Sequence, residues 1–296
     1  MSFTIPKTQT AAVVPTSSTL IEIRQDHPVK TQEELAPGEC LIKLCTGVCH
    51  TDLHAALGDW PLPTKTPLVG GHEGVRVIIA IGSSTSHSLV KVGDRVGIKW
   101  LADSCLNSEQ CRKGREHEDC TDAKLSGFTV DGTFQQYVIS FVNHATPIPG
   151  GFDSNAAASI LCAGLTTYHA IKYSQTSPGD WIVLPGAGGR LGHLAIQYAK
   201  VAGLRVIAVA TGADKKKLCL ELDADKRIDF KESKNIVEEI KVIMDGLGAH
   251  SALVTAVSSS GYKQAMEYLC GGGTLMVVGL PGNGDLEASI FFTVFK

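Results

Sequence analysis

A chain of 296 residues exceeds the size at which one hydrophobic core usually stops growing, so two domains are expected. With 44% hydrophobic and 19% charged residues, it has the composition of an ordinary globular enzyme, which excludes a disordered chain or a disulfide-dependent miniature. A net charge of −3 without a long basic run offers no electrostatic footprint for nucleic acid, and the expected partner is a small molecule.

The first residues, MSFTIPKTQTAAVVP, carry one lysine and no long apolar stretch, so they do not read as a signal peptide. Later apolar runs at 77–81 and 206–210 are far too short to span a bilayer. A cytoplasmic protein is expected. In that reducing compartment the nine cysteines point to metal ligation or buried thiols rather than disulfides.

Along the chain, CLIKLCTGV, GVRVIIAIG, GDRVGIKW and GTFQQYVIS are short β-branched segments punctuated by Gly and Asp, so residues 1–152 read as an irregular β domain. From Asp153 the pattern changes. DSNAAASILCAGLTTYHAIKYS predicts one capped, alanine-rich helix. WIVLPGA is then a strand, GRLGHLAIQYAKVAG a helix, LRVIAVAT a strand and DKKKLCLELDA a helix, with further strands near ALVTAV and GTLMVVG. Such alternation predicts parallel βαβ units, a doubly wound α/β sheet over 153–296.

The densest chemistry lies in GVCHTDLHAALGDWPLP and PLVGGHEG, which hold Cys49, His50, Thr51, Asp52, His54, His72 and Glu73. A catalytic zinc takes three protein ligands and keeps one position open, and Cys49 and His72 supply two. His50 suits a cofactor pyrophosphate better than the metal, because adjacent residues cannot readily both face one ion. These strings, with KVGDRVGIKW, VDGTFQQY, LCAGLTTYHA and IDFKESKNIV, make nearly the whole chain resemble the zinc-dependent medium-chain alcohol dehydrogenases of fungi and yeast.

That resemblance implies a GroES-like β domain followed by a Rossmann domain, and reversible oxidation of a small alcohol with zinc and NAD. It implies Cys162 as the third zinc ligand, Glu73 as a neighbouring or alternate ligand, and Asp52 as the group orienting His72. Thr51 and His54 fit a proton relay from the alcohol to an imidazole that titrates near neutrality. Trp60 and Trp100 are expected to wall a small pocket. The segment CLNSEQCRKGREHEDC resembles the family's structural-zinc lobe, with Cys105, Cys111 and Cys120 kept, Ser108 in place of a cysteine, and His117 as an alternative ligand.

In IVLPGAGGRLGHL, Gly186, Gly189 and Gly192 are placed for a tight turn, close approach to pyrophosphate and helix packing, and Thr211 with Lys215, Lys216 and Lys217 lies close enough downstream to meet a 2′-phosphate. The next strand ends in Ala210 rather than the acid that binds adenosine ribose hydroxyls, which leaves NADP open beside NAD. Arg76 and Arg190 replace family glycines, so strain is expected there. By the same resemblance the family continues past LEASIFFTVFK, so an incomplete Rossmann domain with exposed sheet edges is expected, and a homo-oligomer is expected less firmly.

Overall fold

The computed structural model describes residues 3–115, 120–282, 284–286, 288–290 and 293. Contacts divide the chain into two compact units, Met1–Cys162 and Ala163–Lys296.

In the first unit, β3 (Glu39–Thr46) is the strand around which an antiparallel sheet is built. It pairs with β5 (Gly74–Ile81) and β9 (Tyr137–Phe141), and β6 (Arg95–Ile98) and β10 (Thr146–Pro147) complete the order β10-β6-β5-β3-β9. Cys40, Ile42 and Leu44 face one core with Ile78, Val96 and Val138, while Leu41 turns to the other face with Ile79 and Val29. Alternation of side chains along a pleated strand explains why both faces of β3 are buried. Smaller sheets join β1 (Thr8–Val14) to β2 (Glu22–Pro28) and β4 (Leu68–Val69), and β7 (Leu101–Asp103) to β8 (Lys124–Leu125).

Two helical pieces differ from the expectation. Residues read as irregular form α1 (His50–Leu57), whose N-cap is Cys49 and whose third residue, Asp52, accepts the Cys49 N–H at 2.8 Å. The alanine-rich helix is not continuous: Ser154–Ser159 is α-helical, Ile160–Gly164 widens into a π turn, and the α-helix resumes at Leu165–Lys172. Single π turns in helices commonly re-aim a side chain at a site, and this one carries Cys162.

In the second unit, β11 (Trp181–Pro185), β12 (Arg205–Val209), β13 (Lys226–Ile228), β14 (Ala249–Val254) and β15 (Leu269–Val277) form a wholly parallel sheet ordered β13-β12-β11-β14-β15. Counted from β11, that is the strand order 3-2-1-4-5 of a Rossmann sheet. Helices cover both faces. Ile182, Leu184 and Val206 pack with Ala195, Ile196 and Ala199 of the helix Gly192–Val201. Val183, Ile207 and Val209 pack on the opposite side with Ile240, Ala265 and Tyr268. Removing the Ile196 side chain completely from water contributes about 1.5–3 kcal/mol, which is why this helix holds its register against the sheet.

The strain expected at Arg76 and Arg190 does not arise. Neither residue has a positive φ. Arg76 projects from β5 as an exposed side chain, and Arg190 is half-buried. Among the described residues, no helix is long and apolar enough to cross a membrane.

Candidate active site

The first unit brings Cys49, His72 and Cys162 together, with one ligand atom of each within 4.8 Å of the others. Cys49 stands at the N-terminus of α1, His72 just ahead of β5, and Cys162 on the π turn. The two sulfurs are 3.7 Å apart, and His72 Nε2 is 3.1 Å from Cys162 Sγ. Zinc–sulfur and zinc–nitrogen bonds of about 2.3 and 2.0 Å give tetrahedral edges of about 3.8 Å between sulfurs and about 3.5 Å between nitrogen and sulfur. The sulfur pair already has that spacing, and the imidazole has only a few tenths of an ångström to give. Two thiols and one imidazole are the donor set of a catalytic zinc with an open position.

The electrostatics suit a cation. The neighbouring Cys162 thiol, and then His72, outweigh burial and hold the Cys49 thiol down to about 3. Burial works against a charged His72, but Asp52 and Cys49 prevail and push it up to about 9. The two shifts describe one thiolate–imidazolium pair. A metal ion taken up here replaces the imidazolium proton, so binding releases a proton and weakens in acid.

Asp52 braces two ligands at once. One carboxylate oxygen meets His72 Nδ1 at 2.8 Å and the other accepts the Cys49 N–H at 2.8 Å. The Nδ1 contact leaves Nε2 as the ligand nitrogen. Glu73 is fully buried, but the structure does not bring it into the three-ligand cluster. Its Oε1 lies 2.8 Å from where a Cβ on Gly47 would be.

Thr51 and His54 lie three residues apart on α1 and therefore on one face of it. His54 is 8% exposed; its Nδ1 meets both oxygens of Asp59 at 2.8 and 3.0 Å, and its Nε2 is buried without a hydrogen-bond partner. Asp59 was not singled out in the sequence, although it lies within GDWPLP, because an acid in a loop shows its partner only after folding. Trp60 stacks on His54 at 5.0 Å, Trp100 meets His72 edge-on at 5.3 Å, and both pack on the buried Phe128. The two tryptophans thus line the site and belong to a core cluster at the same time. His50 is exposed at the start of α1.

A second cysteine cluster, Cys105, Cys111 and Cys120, also gathers within 4.8 Å. The backbone N–H groups of Asn107 and Ser108 donate to Cys105 Sγ and hold that thiol down to about 6. Ser108 serves as a helix N-cap, accepting the Cys111 N–H. His117 lies outside the described residues.

In the second unit the glycine turn follows β11 at the point where the sheet order reverses. Gly186 has φ +89°, and a Cβ there would lie 2.6 Å from Thr255 Oγ1, just past β14. A Cβ on Gly192 would fall 2.3 Å from Gly186 O. Both positions therefore require glycine, and the turn stands at the head of the helix Gly192–Val201 at the place where the sheet order reverses. Gly189 is less constrained, its would-be Cβ meeting Gly186 O at 3.1 Å. Gly188, passed over in the sequence, is crossed by Lys215, whose side-chain carbons would lie 2.6–2.9 Å from a Cβ there.

Family models for an alcohol dehydrogenase GroES-like domain and for a zinc-binding dehydrogenase match residues 36–150 and 191–296. The chain is 45% identical over 295 residues to an alcohol dehydrogenase of Schizosaccharomyces pombe, covering 99% of this chain and 82% of that protein. The chain belongs to the zinc-binding alcohol dehydrogenase family. As a member of the alcohol dehydrogenase family it is a zinc- and nicotinamide-dependent oxidoreductase. An alcohol dehydrogenase of Neurospora crassa is likewise 45% identical over 296 residues, with 99% and 82% covered. Among solved structures, the alcohol dehydrogenase of the archaeon Aeropyrum pernix has a TM-score of 0.85 at 26% identity, covering 97% of this chain and 82% of that one. A Sinorhizobium meliloti protein described as a zinc-binding dehydrogenase and bound to NADP has a TM-score of 0.83 at 26% identity, covering 98% and 82%.

Proposed function

We propose that this chain oxidises a primary or small secondary alcohol to its aldehyde or ketone, reversibly, passing the hydride to a nicotinamide dinucleotide. The observation that carries this reading is the pair of thiols and one imidazole assembled around a single point and braced by Asp52.

Cys49, His72 and Cys162 are the residues that would hold zinc, which supplies the Lewis acidity that makes an alcohol hydroxyl acidic enough to ionise near neutral pH. Asp52 keeps the His72 proton on Nδ1, so that Nε2 points its lone pair into the site, and it ties the Cys49 backbone to the same carboxylate. Thr51 relays the alcohol proton, its hydroxyl accepting it while giving up its own toward His54 by way of the cofactor ribose. His54 receives it at Nε2, because Asp59 occupies Nδ1. Trp60, Trp100 and Phe128 keep water off the site and restrict the substrate to a small alcohol. The turn at Gly186, Gly189 and Gly192 receives the pyrophosphate, Lys215 the ribose side of the cofactor, and exposed His50 a phosphate oxygen. Glu73 acts as a buried carboxylate beside the metal ligands, and Cys105, Cys111 and Cys120 as a three-sulfur structural site.

The nine free cysteines fit a reducing cytoplasm, a modest net charge fits a small-molecule partner rather than nucleic acid, and association into a homo-oligomer agrees with the family. Replacing Cys49 by Ser, or His72 by Ala, is expected to abolish alcohol-dependent reduction of the dinucleotide and to lower bound zinc together. Turnover that survives loss of both ligands sinks the zinc reading.

A further inference from the structure

The string VDGTFQQY supplies no ligand to the Cys49, His72 and Cys162 cluster, yet its threonine lies against the backbone that carries His72. Thr133 is wholly buried. Its side chain fills the space left by two missing ones. A Cβ on Gly71 would lie 2.5 Å from Thr133 Oγ1, and a Cβ on Gly74 would lie 2.9 Å from Thr133 Cγ2. Gly71, with φ +92°, directly precedes His72, and Gly74 opens β5 directly after Glu73. The hydroxyl of Thr133 is therefore packed beside the residue before the His72–Glu73 pair, and its methyl beside the residue after it. A Cβ on Gly132 would fall 1.8 Å from Gly71 O, so the two segments meet here as closely as glycine allows.

Hydrogen bonds hold the same bend at both ends. On one side the Thr133 N–H donates to Gly71 O at 3.0 Å. On the other, Thr133 Oγ1 is 2.6 Å from Thr46 Oγ1 at the end of β3, which is in turn 3.1 Å from Glu73 O and 2.9 Å from Gly47 O. The Gly47 N–H donates to the same Glu73 carbonyl at 3.0 Å. A hydroxyl carries one proton and a carbonyl none, so Thr46 donates to a carbonyl, and Thr133 must be the donor to Thr46. Valine reproduces the shape of threonine but has no proton to give, and it would leave the Thr46 oxygen without that donor.

Resting on the zinc reading of Cys49, His72 and Cys162, we propose that Thr133 is a positioning residue for the zinc ligand His72, fixing the backbone before it through Gly71 and the backbone after it through the Thr46 hydroxyl and Glu73. The two supports of His72 divide the work. Asp52 sets which ring nitrogen carries the proton, and Thr133 sets where the backbone delivers the ring. Thr133 does this without touching metal or substrate.

Zinc affinity of the full chain, by competition with a chromophoric chelator, and the visible bands of cobalt(II) bound in place of zinc both read the ligand geometry rather than turnover. The share of metal that Cys49→Ser removes identifies the site. Thr133→Val is expected to weaken zinc there about tenfold, as loss of a supporting partner does, and to shift the cobalt bands. Thr133→Ser keeps the hydroxyl and is expected to restore both to nearly the parent's values. Thr46→Val, at an exposed strand end, breaks the same link outside the core and is expected to weaken zinc severalfold; it decides the matter if Thr133→Val fails to fold. A Thr133→Val chain that melts earlier but holds zinc as tightly as the parent, with unmoved cobalt bands, makes Thr133 plain core and overturns the proposal. Equal loss in Thr133→Ser, or unchanged zinc affinity in Thr46→Val, overturns it as well. A parent chain from which Cys49→Ser removes no metal overturns the zinc reading itself, and the positioning role with it.

Discussion

Replacing Asp52 by Asn keeps the size of the side chain and removes its charge, at a residue whose side chain is 5% exposed and whose two oxygens serve two different metal ligands. Asn has one oxygen to offer. If that oxygen takes the Cys49 N–H, its NH2 faces His72 Nδ1 and forces the ring proton onto Nε2, the nitrogen that must bind metal. If the amide turns over, two donors meet at Cys49, and a buried N–H without an acceptor costs about 1–3 kcal/mol. Loss of such an outer partner typically lowers metal affinity about 10- to 100-fold, equivalent to about 1.4–2.7 kcal/mol. Competition against a chromophoric chelator measures the zinc affinity directly, and thermal melting in excess zinc separates a weakened site from a failure to fold. Zinc affinity within about twofold of the parent in the Asn variant would refute the assignment of Asp52 as a double brace.

His54→Ala is expected to lower kcat about a hundredfold, the low end for a positioned proton acceptor, while zinc content stays unchanged. Asp59→Asn should lower kcat by less, because the His54 ring is then no longer held with its proton on Nδ1. Stopped-flow turnover across pH with metal analysis of the same samples tests both. Burial opposes ionisation of Asp229, yet Thr211, two backbone N–H groups and Arg227 hold its carboxyl down to about 2, below the ordinary 3.8. A carboxyl with a lowered folded pKa contributes stability that is complete above its unfolded value and lost as pH falls through the folded one. Melting temperatures of the parent and of Asp229→Asn should therefore differ most above pH 4 and converge toward pH 2.

The parallel sheet was legible because strands covered on both faces run as continuous apolar segments, as in WIVLP and RVIAV, between glycine-ended helices. The zinc ligands were legible for a different reason. Cys49 and His72 sit in strings whose residue types match a metal's needs, whereas Cys162 is far off in sequence and was reached only through resemblance. Helix α1 escaped notice because its eight residues are held by the Asp52–Cys49 cap and by packing of Ala55, not by an apolar stripe. The π turn at Ile160–Gly164 could not be read, since SILCAGL fits an unbroken helix equally well. Asp59 and Arg227 belong to pairings that depend on where separate segments meet, and no periodicity announces them.

The zinc-dependent mechanism is tested most directly by zinc content measured in the same purified sample as ethanol oxidation, with NAD and NADP supplied in parallel. At least one zinc per chain, turnover that disappears when chelation removes the metal and returns on its restoration, and loss of both in Cys49→Ser are the predicted results. Undiminished turnover in protein stripped of zinc, or a full zinc complement with no alcohol oxidation by either cofactor, would contradict it.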